Sequence, residues 1–198
     1  MVDNPPHTTA FLFPGQGSQS VGMGKELAQA YPLARQTFEQ ADHFLDFSLS
    51  HLAWDGPEAE LNDTINTQPA LLTHSVAVWR VLGQLQPDLR PAFVAGHSMG
   101  ELSALVACQA LPFPDALRLA RARGQMMKQA GTLNPGGMAA ISTDNSFPAE
   151  VFPGWADYQR PCFLTVCYVQ LQVCVSGSHA PEAAGALYLG LVIVNPDM

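Results

Sequence analysis

Residues 91–110 read PAFVAGHSMGELSALVACQA, an apolar run and a helix-forming run joined by Gly96-His97-Ser98-Met99-Gly100. A strand that turns into a helix over so few residues needs unusual backbone angles and a close strand–helix approach. Glycine permits both because it carries no side chain to clash. The run FVA, like the earlier TAFLF at 9–13, is apolar on both faces, so both segments predict strands buried in a sheet with helical cover. Strand, helix, strand, helix is the order of a parallel α/β sheet, whose ligand site lies beyond the carboxyl ends of its strands.

The same setting makes Ser98 a candidate nucleophile. Gly-x-Ser-x-Gly between a strand and a helix has the context of a nucleophile elbow, which lifts the serine hydroxyl to the helix N-terminus. Free backbone amides and the helix dipole there favour a developing negative charge. An ordinary tight turn is the alternative reading of the pentapeptide. A second element, FPGQGSQ at 13–19, also follows a strand. Gly15 and Gly17 allow the backbone to approach a ligand. Gln16 offers an amide at the same sheet edge as Met99, so the two form a candidate pair of oxyanion donors. A third element is RLARARGQMM, which sets Arg118, Arg121 and Arg123 on one helix in a chain with only 13% charged residues. Arginine presents a planar fork that holds a carboxylate through two parallel bonds, although a solvated helix face is the default for such residues.

Between these elements the chain is mostly helical in pattern. GKELAQAYPLARQTFEQADHF (24–44) has helical spacing broken at Pro32, and 46–66 is polar with short helical pieces. NTQPALLTHSVAVWRVLGQL (66–85) is the clearest helix, with Pro69 in its first turn and Leu72, Val76, Trp79 and Leu82 at core intervals. Further helices are predicted over Glu101–Ala110 and Pro114–Ala130. From TLNPGG (132–137) the texture changes. MAAIS, FLTVCYV, LQVCVSG and LVIV read as strands, with a weak helix at 147–157 and APEAAGALYLG as a second. That order, β-α-β-β-α-β, is the split βαβ pattern of a ferredoxin-like unit, and it sets a division into residues 1–131 and 132–198.

Composition narrows the partners. Hydrophobic residues make up 47% of the 198, and the net charge is −8 with nine scattered Lys and Arg. No basic patch serves a nucleic acid or an acidic membrane surface, and no apolar run is long enough to span a bilayer. MVDNPPHTTA lacks the positive start and apolar core of a signal peptide. Cys108, Cys162, Cys167 and Cys174 lack paired zinc spacing and read as buried free thiols. No metal is expected, and a reducing cytoplasm fits.

Together FPGQGSQ, NTQPALLTHSVAVWRVL, AGHSMGELSALVA and RLARARGQMMKQA resemble the malonyl-CoA:acyl carrier protein transacylases and the acyltransferase domains of polyketide synthases, from about Thr9 to Ile141. The resemblance implies an α/β-hydrolase-like large subdomain, incomplete here, with an inserted ferredoxin-like small one. It implies that Ser98 carries the acyl group, that Gln16 and Met99 form the oxyanion hole, and that His97 lines the site. Arg123, 25 residues after Ser98, would pair with the free carboxylate of a malonyl group. The expected reaction is ping-pong transfer from malonyl-CoA to acyl carrier protein in fatty acid or polyketide synthesis, with coenzyme A as substrate and no cofactor. The family's general base, a histidine just after the last small-subdomain strand, has no counterpart after LVIV, where NPDM follows. A truncated, non-catalytic remnant or partner protein is therefore one alternative. A serine esterase or thioesterase is the other, and such an enzyme has no use for Arg123 beside the serine.

Overall fold

The computed structural model describes residues 9–133, 136–141, 171–176 and 191–194. They fall in two compact units, one formed by residues 1–133 with 190–198 and the other by 134–189.

The first unit begins with β1 (Ala10–Phe13), followed by α1 (Lys25–Ala30) and α2 (Pro32–Leu45). Pro32 opens α2 at its first turn, where its missing N–H costs nothing and its fixed φ suits the helix. That is the break the sequence predicts. The irregular stretch resolves into two short helices, α3 (Leu49–Asp55) and α4 (Glu58–Leu61). The next helix, α5, runs from Thr64 to Leu85 and starts earlier than the sequence reading puts it. Asp63 caps it, its side chain accepting a hydrogen bond from the Ile65 N–H. Pro69 therefore sits inside the helix and not in its first turn. This early start has consequences at the site. Strand β2 (Phe93–His97) leads into α6 (Gly100–Ala107), and α7 (Phe113–Leu133) completes the helices among the described residues.

The core lies among these helices. Phe38, Leu49, Leu61, Leu72, Val76, Met99 and Leu117 are buried almost completely, and α5 packs against α2 and α7. Of the expected apolar stripe, Leu72 and Val76 lie in this core. Trp79 instead turns to the sheet, edge-on to Phe11 with ring centroids 5.2 Å apart.

β1 and β2 pair in parallel, with Phe13 opposite Gly96, as the sequence predicts. The sheet is not wholly parallel, however. β5 (Leu191–Val194) pairs antiparallel on the other side of β2, giving the order β1-β2-β5. The sequence reading assigns this strand to the unit beginning at residue 132. An apolar run of four residues satisfies either sheet, and nothing local in it selects a partner. Not all of the sheet's apolar surface is covered either, because Leu12 on β1 is 57% exposed.

In the second unit, β3 (Gly136–Ile141) pairs antiparallel with β4 (Leu171–Ser176), and Gly136 is opposite Ser176. The expected strand FLTVCYV, the two helices around it, and the residues His7, Cys162, Cys167 and His179 lie outside the described residues. Cys108 is a half-buried free thiol. Among the described residues no helix is long and apolar enough to cross a membrane, and no group of three His, Cys, Asp or Glu side chains is placed to hold a metal ion.

Candidate active site

β2 ends at His97, and the chain turns at Ser98 with φ of +54° before α6 begins at Gly100. A non-glycine residue in this left-handed region carries backbone strain of about 1–2 kcal/mol. The turn keeps it because the surroundings leave no alternative. A Cβ on Gly96 would lie 2.0 Å from the backbone carbon and oxygen of Gly100, and one on Gly100 would lie 2.2 Å from the Phe13 carbonyl oxygen. Both glycines thus seat bare backbone on bare backbone. The first locks the strand end to the helix start, and the second locks the helix start to the end of β1. Gly-x-Ser-x-Gly here is a packing requirement as well as a turn.

The loop after β1 lies directly on this elbow. A Cβ on Gly15 would lie 2.6 Å from the His97 carbonyl oxygen and 2.7 Å from its Nδ1, so His97 stands over the Gly15 backbone. Gly17 has φ of +108°, a value that suits glycine. Its N–H donates to Gln19 Oε1 at 2.8 Å, and the Ser18 hydroxyl donates back to the Gly15 carbonyl at 2.7 Å. These bonds brace the loop from within. Among the described residues the amide N–H groups of Gln16 and Met99 have no backbone acceptor.

Arg123 reaches the serine from α7. Its Nη2 donates to Ser98 Oγ at 3.0 Å and its Nη1 to Gln68 Oε1 at 2.8 Å. Gln68, fully buried on α5, donates from Nε2 to Thr64 Oγ1 at 3.1 Å and contacts Met127 Sδ at 3.2 Å. The Thr64 hydroxyl in turn donates to Gln16 Oε1 at 2.9 Å. A connected chain of side chains therefore joins Gln16 to Ser98. α7 can approach this closely because Gly124 faces the start of α5. A Cβ there would lie 2.6 Å from the Thr64 carbonyl oxygen.

The three arginines of α7 have separate roles. Arg118 pairs with Asp115 at 2.9 Å on the surface. Arg121 donates to Asn66 Oδ1 at 2.9 Å and lies 4.4 Å over the Phe47 ring. Burial there lowers its pKa, opposed by the nearby Asp63 carboxylate. Arg123 alone of the three touches Ser98. Of the other described histidines, His51 contacts Asp55 at 3.2 Å and His43 packs on Phe44. His74 is half-buried on α5, and burial lowers its pKa. Among the described residues no histidine hydrogen-bonds to Ser98.

The structure thus brings Ser98, Met99, His97, Gln16 and Arg123 to one end of the β1–β2 pair. Sequence reasoning missed Thr64 and Gln68. The signal was Asp63, a good N-cap residue type in front of TINTQ, which would have put Thr64 and Gln68 one turn apart on the same helix face.

Comparison with known proteins agrees with this geometry. The family model described as acyl transferase domain matches residues 10–177. A malonyl CoA-acyl carrier protein transacylase of Salmonella typhimurium is 53% identical over 132 residues, covering 67% of this chain and 42% of that protein. One from Bacillus subtilis is 51% identical over 132 residues, covering 67% of this chain and 41% of its own length. The crystal structure of an acyl carrier protein S-malonyltransferase from Vibrio cholerae superposes with a TM-score of 0.64 at 49% identity, over 69% of this chain and 44% of that one. A malonyl-transacylase in complex with a type II polyketide-synthase acyl carrier protein gives 0.62 at 46% identity, over 70% and 45%. The chain spans less than half the length of these relatives. With the elbow, the loop after β1 and the arginine all in place within the matched region, the chain belongs to the acyl transferase domain family.

Proposed function

We propose that the chain is a malonyl-CoA:acyl carrier protein S-malonyltransferase, or the acyl-binding part of one, serving fatty acid or polyketide synthesis in the cytoplasm. The observation that carries this reading is the 3.0 Å contact between Arg123 Nη2 and Ser98 Oγ. It sets a permanent cation beside the candidate nucleophile, in reach of the free carboxylate of an acyl group esterified there. The fork binds a carboxylate through charge-assisted bonds, so malonyl is favoured over acetyl. A simple esterase has no use for such a charge.

In this reading Ser98 Oγ attacks the thioester carbonyl and the coenzyme A thiol departs. The resulting ester is then collected by the phosphopantetheine thiol of acyl carrier protein. The oxyanion of each tetrahedral intermediate is held by the Met99 and Gln16 amides. Ser98 also needs a proton acceptor. Arg123 has no acceptor atom, and His97 stands over Gly15, so we assign the base to a group outside the described residues. The antiparallel pairing of β3 with β4 supports the first and third strands of a ferredoxin-like small subdomain, while the expected fourth strand pairs with β2 instead. No metal or bound cofactor enters the scheme.

Malonyl-CoA, holo acyl carrier protein and the full chain, followed by intact-mass analysis of the carrier, test the reading. Malonyl-carrier forming faster than in the Ser98→Ala control supports it. Free malonate with no carrier product points to the hydrolase, and no turnover to the non-catalytic alternative.

A further inference from the structure

The side-chain path from Gln16 to Arg123 has a fixed polarity. A guanidinium offers donors only, so Gln68 must turn its Oε1 toward Arg123. That leaves its amide donors for Thr64 Oγ1, and the Thr64 hydroxyl, already accepting, directs its own proton to Gln16 Oε1. A fully buried amide is costly to leave unpaired. Flipping Gln68 would set its NH2 group against the guanidinium, so one orientation is specified.

We propose that Thr64 and Gln68 are positioning residues, a relay that aims Arg123 at the acyl carboxylate and ties that aim to the Gln16 loop. The inference rests on the transacylase reading of the site. Gln68 pins Nη1, which fixes the guanidinium plane and leaves Nη2 directed at the serine. When Ser98 is acylated, Nη2 exchanges the serine oxygen for the carboxylate while Nη1 stays on Gln68. The clamp therefore turns about a fixed point instead of searching rotamers. At the other end the same relay holds the side chain of Gln16, whose amide is one of the two oxyanion donors. The close seat of Gly124 on the Thr64 carbonyl keeps α7 in range of the relay.

The test uses the full chain with Gln68→Met, which keeps the volume and removes both polar ends, and with Thr64→Val, an isosteric change at a half-buried position. Two readouts are taken: labelling rates with malonyl-CoA and acetyl-CoA, and the NMR signals of the Arg123 Nη protons, which are resolved when the guanidinium is held. Gln68→Met should lower malonyl relative to acetyl labelling by about ten-fold, with the Arg123 signals averaged. Thr64→Val should move both readouts the same way by less, and it decides the matter if Gln68→Met does not fold. Equal loss for both acyl groups, or unchanged Arg123 signals, overturns the relay. If the parent chain accepts neither acyl group, the transacylase reading fails separately and the Arg123 signals alone decide the relay.

Discussion

Gly96→Ala is the perturbation that most sharply separates a packing glycine from a turn glycine. The added methyl would lie 2.0 Å from the Gly100 carbon and oxygen and 2.3 Å from the Glu101 nitrogen. All three are backbone atoms, so no side chain can swing away. Relief requires the start of α6 to retreat from β2 by more than an ångström, and Gly100 cannot follow without leaving its seat on Phe13. Overpacking a tight site costs about 1–3 kcal/mol when side chains can adjust. With backbone on both sides, about 3 kcal/mol or more is expected here. Urea unfolding followed by circular dichroism measures it. With a slope of about 1–3 kcal/mol/M for a domain of this size, the midpoint should fall by at least about 1 M. Displacing Ser98 by that distance should also cost about 100-fold in acylation rate. A variant within 1 kcal/mol of the parent, by the same extrapolation, would refute the argument that these glycines weld strand to helix.

Gly83→Ala is the control, because an added Cβ on this exposed α5 position meets nothing within 4 Å. It should stabilise the chain by about 0.5–1 kcal/mol in the same urea assay, and a loss would contradict the described helix. Asp63→Asn keeps the cap but removes the charge that pairs with Lys128. The hydrogen bond from Lys128 holds the Asp63 pKa below its ordinary 3.8, so its contribution is complete above that value and is lost as pH falls through the folded one. The variant should be about 0.5–1 kcal/mol weaker at pH 7, and the gap should close in acid. His74 acts in the same direction at higher pH. Burial lowers its pKa from 6.5, so the unfolded chain takes up a proton that the folded chain resists, and stability falls as pH drops below about 6.5. His74→Gln should flatten that part of the pH profile, and an identical profile would remove His74 as its cause.

What the sequence made legible was local. Ser98 between Gly96 and Gly100 is specified by a strand, a turn and a helix within twenty residues, and the structure shows the same turn. Arg123 was visible as one of three arginines on a helix. Which of the three reaches the serine depends on how α7 packs on α5, and Gly124 decides that through a contact with Thr64 far away in the sequence. The relay was hidden for a related reason. Treating Pro69 as the first turn of α5 placed Thr64 outside the helix and removed the one-turn spacing that joins it to Gln68. Leu191–Val194 was read correctly as a strand, but as part of the unit beginning at residue 132, whereas it pairs with β2. Strand partners are set by tertiary packing, and four apolar residues carry no register signal of their own.

The proposed function requires that Ser98 carry an acyl group selected by Arg123. The direct measurement is peptide mapping by mass spectrometry after brief exposure of the chain to an equal mixture of malonyl-CoA and acetyl-CoA, for the parent and for Arg123→Ala. A malonyl ester is expected on the peptide containing Ser98 in the parent. In the variant the malonyl-to-acetyl ratio should fall by about 30-fold or more, the worth of a charge-assisted contact of roughly 2–3 kcal/mol. An adduct on another residue, or a ratio that Arg123→Ala leaves unchanged, would contradict it.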